Sequence, residues 1–125
     1  MKILVVEDDT AQRLLVKRMI LQIKECEVFE AKDGVEGLRV VEIVNPDLVF
    51  TDLWMPVMNG ITMLERIRHK PEFKTLPVVV MSALNDKETV GSVVQLGVSG
   101  YLLKPITQKQ IEEKLLQLLE HETEK

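Results

Sequence analysis

Glu7-Asp8-Asp9, Asp52, Ser82 and Lys104 each follow a short apolar run: Ile3-Leu4-Val5-Val6, Leu48-Val49-Phe50-Thr51, Val78-Val79-Val80-Met81 and Tyr101-Leu102-Leu103. If these runs are parallel strands of one sheet, their carboxyl ends converge on one edge, where open α/β sheets bind ligands. That edge would carry three or four carboxylates, one hydroxyl and one ammonium. Carboxylates about 4–5 Å apart repel by a few kcal/mol at an effective dielectric near 20. Either one acid of such a set takes up a proton, or a divalent cation binds between them. Hard oxygen ligands open to water suit Mg²⁺, which keeps several waters and shares a substrate phosphate. The same combination suits phosphoryl transfer, where catalysis is mostly positioning and charge neutralisation. Lys104 can pair with Asp52 at rest and with a phosphoryl oxygen afterwards, and the Ser82 hydroxyl can donate to another of those oxygens.

Each residue also has a plainer reading. Acids after a strand are often a solvated turn, and a serine or lysine there is often ordinary surface. For Asp9 the plainer reading is preferred, as cap of the following helix. For Glu7, Asp8, Asp52, Ser82 and Lys104, convergence from four strand ends favours a site. Pro105 fixes the loop after Lys104 and allows a cis or a trans peptide bond there.

The elements that must position these groups alternate strand and helix five times. All-apolar runs read as strands buried by helices on both faces. Glu27-Val28-Phe29-Glu30-Ala31 alternates in polarity, which suits a strand nearer the sheet edge. Asp33 with Glu36 forms a capping box ahead of Val35, Leu38, Val41 and Val44. Asn85 with Glu88 does the same ahead of Val90, Val93 and Val94. Thr107 with Gln110 opens a last helix with the stripe Ile111, Leu115, Leu118 and Leu119. Asn59-Gly60 starts a helix bearing Ile61, Leu64 and Ile67. The first helix is expected to turn Leu15 and Met19 inward, and Gly97 suits a helix stop. A charged tail, His121 to Lys125, reads as a frayed helix end. With right-handed crossovers this order gives a doubly wound α/β sheet.

The chain has 125 residues, 46% hydrophobic and 29% charged, with a net charge of -4. This length suits one domain with a real core, residues 1–125. No basic stripe is present to displace counterions, so direct nucleic-acid binding is not expected. A single cysteine, Cys26, excludes an internal disulfide and reads as a small buried apolar side chain. The first apolar stretch is short and ends in acids, unlike a signal peptide. No run approaches the roughly 18 apolar residues of a membrane span, so the expected compartment is the cytoplasm.

The segments Lys2–Asp9, Pro46–Gly60, Val80-Met81-Ser82-Ala83 and Gly100–Pro105 together resemble the receiver domain of bacterial two-component response regulators, of the chemotaxis-regulator-like kind. The resemblance spans essentially the whole chain. It implies a flavodoxin-like fold, with five parallel strands in the order 2-1-3-4-5 wound by five helices. It makes Asp52 the phosphoacceptor, served by a sensor histidine kinase or a histidine phosphotransfer protein. Asp8 and Asp52 would ligate Mg²⁺ directly, Glu7 through water, and Trp54 through its backbone carbonyl. Ser82 would be the switch hydroxyl, Tyr101 the rotating aromatic, and Lys104 a phosphoryl contact. Such a chain is no enzyme in the usual sense, although it assists its own phosphorylation and dephosphorylation. Its output would pass to a downstream protein or to an effector domain missing from this sequence. It would act as a monomer or a weak phosphorylation-dependent dimer. Ser99-Gly100 ahead of Tyr101 departs from the acids usual in regulators that dimerise there. Glu7 and Ser82 are common variants at their positions.

Three other readings compete. A docking module without phosphorylation would not need the full acid, hydroxyl and lysine set. A phosphatase with an aspartyl nucleophile would place that nucleophile where Glu7 stands. An FMN binder needs a hydroxyl-rich loop after the first strand, where Glu7-Asp8-Asp9 would repel the phosphate.

Overall fold

Alternation of side chains along a strand turns every second residue to the opposite face. In the runs Ile3–Val6, Leu48–Phe50 and Val78–Met81 both faces are apolar, so these strands must be covered twice. The computed structural model describes the backbone of residues 1–123 and the side chains of residues 1–119. The tail expected over His121 to Lys125 lies outside these described side chains. The strands are β1 (Lys2–Val6), β2 (Glu27–Ala31), β3 (Leu48–Asp52), β4 (Val78–Ser82) and β5 (Gly100–Leu103). They are all parallel and lie in the order β2-β1-β3-β4-β5, with β2 at one edge and β5 at the other. The helices are α1 (Thr10–Ile23), α2 (Gly34–Val44), α3 (Gly60–His69), α4 (Lys87–Gln95) and α5 (Gln108–Thr123). A short 3₁₀ turn, Pro71–Phe73, precedes β4.

Two cores result. Ile3, Val5, Phe50, Val79 and Met81 pack with Val16 and Ile20 of α1 and Ile111 and Leu115 of α5. Leu4, Val6, Val49, Val78 and Val80 face the other way, against Val41 of α2, Met63, Leu64 and Ile67 of α3, and Val93 of α4. At about 25 cal/mol per Å² of apolar area, this two-sided burial is the main term favouring the fold.

Helix ends follow the cap chemistry. Asp9, Asp33 and Asn59 each accept from the amide three residues on, Gln12, Glu36 and Thr62, at 2.9 Å. At α4 the cap is Asp86, which accepts from Thr89 at 2.9 Å, one residue beyond the Asn85 expected. Both residue types are good caps, and Val93 is the buried residue of the helix that Asp86 opens. On α1 the buried pair is Val16 and Ile20, whereas Leu15 is 50% exposed, contrary to expectation. The two pairs share the same four-residue spacing, so periodicity alone does not separate them. Val35 and Val94 also lie at the surface. Cys26 is half-buried rather than buried, resting against the α1–α5 core. Gly97 follows α4 with φ 76, a left-handed conformation that suits glycine. No helix among the described residues is long and apolar enough to cross a membrane.

Candidate functional site

Because all five strands run the same way, the residues ending β1, β3, β4 and β5 share one edge. Glu7 follows β1, Asp52 ends β3, Ser82 ends β4, and Lys104 follows β5. Carboxylate oxygens of Glu7, Asp8 and Asp52 all lie within 4.8 Å of one another. Glu7 and Asp52 are buried, and Asp8 is exposed at the rim.

The Lys104 ammonium sits among them, 2.7 Å from Glu7 Oε1 and 3.1 Å from Asp52 Oδ2. It also donates to the Gln12 side-chain oxygen at 2.8 Å. Partial burial works against the Lys104 charge, but the hydrogen bonds to Glu7 and Asp52 outweigh it and raise the ammonium above its usual range. Three carboxylates against one ammonium leave two negative charges uncompensated. Desolvation, then the neighbouring Glu7, pushes the Asp8 carboxyl up, so that proton is held more tightly than usual. A crowded set of hard oxygens with excess negative charge, open on one side, fits a small dication such as Mg²⁺.

Asp52 is held from its own loop. Its Oδ1 accepts from the Leu53 amide at 2.8 Å, which leaves Oδ2 toward Lys104. Its backbone carbonyl accepts from Thr51 Oγ1 at 2.8 Å. Gly60 starts α3 directly beneath: a Cβ there would lie 2.2 Å from the Asp52 carbonyl oxygen, and its amide donates to Leu53 at 2.7 Å. Only glycine permits that approach.

Ser82 is fully buried, and its Oγ accepts from the Leu84 amide at 3.1 Å. The Tyr101 hydroxyl donates to the Leu84 carbonyl. Leu84 therefore bonds to both residues, through the amide before its Cα and the carbonyl after it. Trp54 is half-exposed in the loop after Asp52. Asp9 serves as the α1 cap, and its amide donates to Glu7 Oε2 at 3.2 Å. The Lys104-Pro105 peptide is cis.

Three participants escaped the sequence reading. Gln12 and Leu84 have no chemistry-bearing pattern of their own. Arg13 donates to the Glu7 backbone carbonyl at 2.7 Å and pairs with Glu30 of β2 at 3.1 Å. The alternating polarity of β2 was the one available hint, since a glutamate on an otherwise half-buried strand calls for a cation.

Comparison with known proteins agrees with this geometry. A sequence model of the response regulator receiver domain matches residues 3–116. The chain is 38% identical over 120 residues to chemotaxis protein CheY-3 of Vibrio cholerae, covering 96% of this chain and 92% of that one. It is 33% identical to chemotaxis protein CheY of Pseudomonas aeruginosa, over 96% and 97% of the two chains. The crystal structure of the N-terminal domain of an uncharacterized protein from Wolinella succinogenes superposes with a TM-score of 0.86 at 35% identity, covering 98% of this chain and 97% of that one.

Proposed function

This chain belongs to the response regulator receiver domain family, and from that premise we propose that Asp52 accepts a phosphoryl group, with Mg²⁺, from a phosphohistidine. The donor is a sensor histidine kinase or a histidine phosphotransfer protein, and the output is a protein contact. The supporting observation is the Asp52 carboxylate, held by the Leu53 amide on one oxygen and by Lys104 on the other, beside two further acids.

The step is a displacement at phosphorus. An Asp52 oxygen forms the new P–O bond as the P–N bond breaks, and the donor ring, already carrying a proton on its other nitrogen, takes that electron pair and leaves as neutral imidazole. Lys104 already lies on the Asp52 side chain and needs little movement to meet a phosphoryl oxygen. Charge-assisted hydrogen bonds of this kind contribute about 1.5–3 kcal/mol each. Asp8, Asp52, Glu7 through water and the Trp54 carbonyl would hold Mg²⁺, whose chemistry there is to neutralise charge on the transferred group.

Phosphorylation adds negative charge and acceptor oxygens beside Ser82. The Ser82 hydroxyl has its own O–H to donate to them. Any move of Ser82 toward them pulls on the Leu84 amide it accepts from, and the Tyr101 hydroxyl is bonded to the carbonyl of that same residue. A shift from 1:99 to 99:1 needs about 5.5 kcal/mol, within reach of two or three new charge-assisted bonds.

Incubation with acetyl phosphate and Mg²⁺ followed by intact mass tests the proposal. One added phosphoryl group is expected, absent with EDTA and absent in Asp52→Asn. Label that survives Asp52→Asn unchanged would overturn it.

A further inference from the structure

An ammonium has three N–H donors, and all three of Lys104 are engaged, by Glu7, Asp52 and Gln12. The third partner arrives by an unusual route. Gln12 stands three residues after the cap Asp9, which accepts from the Gln12 amide. A glutamine at that position ordinarily reaches back to the amide of the cap residue. The chain does this elsewhere: at the start of α5, Gln110 Oε1 accepts from the Thr107 amide at 2.8 Å. At α1 the corresponding Asp9 amide is already taken by Glu7 Oε2. Glu7 thus replaces Gln12 in the capping box, and the Gln12 carboxamide is free to reach Lys104.

We propose that Gln12 is a positioning residue for phosphoryl transfer, holding the Lys104 ammonium in place while its other two partners change. This rests on the reading of Asp52 as phosphoacceptor. Asp52 gives an oxygen to phosphorus, and Glu7 sits where a hydrated cation would draw on its charge. The Gln12 carboxamide neither reacts nor titrates, so it alone stays the same throughout. Being neutral, it orients the ammonium without cancelling the charge that meets the phosphoryl oxygens. A carboxylate at this position would hold Lys104 as well but would repel the incoming group.

The test compares wild type, Gln12→Leu and Gln12→Glu, each alone and with Lys104→Met. Initial rates of labelling by acetyl phosphate with Mg²⁺ should fall about three- to tenfold in Gln12→Leu, the worth of one hydrogen bond. Gln12→Glu should also be slower than wild type. In the Lys104→Met background, Gln12→Leu should make no further difference. A second readout needs no metal: in EDTA, the urea midpoint should fall on Gln12→Leu with Lys104 present, by more than it does with Met at that position. Equal labelling of Gln12→Leu and wild type overturns the assignment, as does an undiminished effect with Lys104→Met. A Gln12→Glu variant faster than wild type overturns the charge argument. Wild type that takes no label on Asp52 overturns the phosphoacceptor reading itself, a separate outcome.

Discussion

At the scale of single residues, Val57 departs most from ordinary backbone. Its φ is 69, it is 82% exposed, and the Met58 amide donates across it to the Pro56 carbonyl at 2.8 Å. That bond closes a γ-turn of the rare, strained kind, and a sparsely populated conformation of this sort costs roughly 1–3 kcal/mol, with a β-branched residue a clear outlier at positive φ. The turn has a purpose in the packing, because it presents the Met58 carbonyl to the Gly34 amide at 2.9 Å. Asparagine tolerates this conformation without the extra chain entropy that glycine brings. Val57→Asn is therefore expected to stabilise the fold by about 1 kcal/mol, read as a higher urea midpoint with unchanged slope. Stability equal to or below wild type would show that the turn carries no such strain.

At the scale of elements, α4 is the weakly seated helix. Its buried residue is Val93, and the rest of its surface is largely open. What fastens its carboxyl end is Arg68, in the last turn of α3. The guanidinium donates to Leu96 and Gly97 carbonyls at 2.8 and 2.7 Å, and to Phe73 and Leu76 at 2.8 Å each. Burial lowers the Arg68 pKa from its ordinary value. Lysine has no planar fork and would reach only part of this set. Arg68→Met should cost about 3 kcal/mol, since several carbonyls lose a charged donor at once. Hydrogen exchange should quicken first in α4 and residues 96–99, ahead of α1 and α5. Uniform quickening across all helices would contradict this local role.

At the scale of the molecule, the acid site links metal, protons and stability. A ligand at 100 times its dissociation constant stabilises by about 2.7 kcal/mol. Mg²⁺ should therefore raise the unfolding midpoint of wild type, with a much smaller rise in Asp8→Asn. The sign of the proton effect follows from Asp8, whose folded pKa lies above the ordinary 3.8. Without metal, its contribution favours the folded chain below that ordinary value and is lost as pH rises through the raised one. The difference in stability between Asp8→Asn and wild type should then widen in favour of the variant across that interval, and Mg²⁺ should abolish the widening. A gap independent of pH would refute the coupling.

Four strands were legible in the chain because each is an apolar run ending at a carboxylate, a hydroxyl or an ammonium, and β2 was legible instead by its alternating polarity. The meeting of Glu7, Asp8, Asp52 and Lys104 followed from parallel order alone. Helix faces were less legible: of the α1 residues expected inward, Met19 packs against the core but Leu15 is exposed, and the buried pair is Val16 and Ile20. Gln12 and Arg68 were illegible for another reason. Their partners are distant in sequence and mostly backbone carbonyls or a single ammonium, which leave no trace in local pattern.

The short approach of Gly60 to the strand above has one more consequence, for chemical ageing. Asparagine before glycine is the pair most prone to cyclise and lose ammonia, a reaction that needs the glycine nitrogen to attack the side-chain carbonyl. Here that nitrogen is committed to the Leu53 carbonyl, and Asn59 Oδ1 is committed to Thr62. The folded chain therefore guards a bond that its unfolded form exposes, and the slow decay of Asn59 in storage becomes a clock for how often this corner opens.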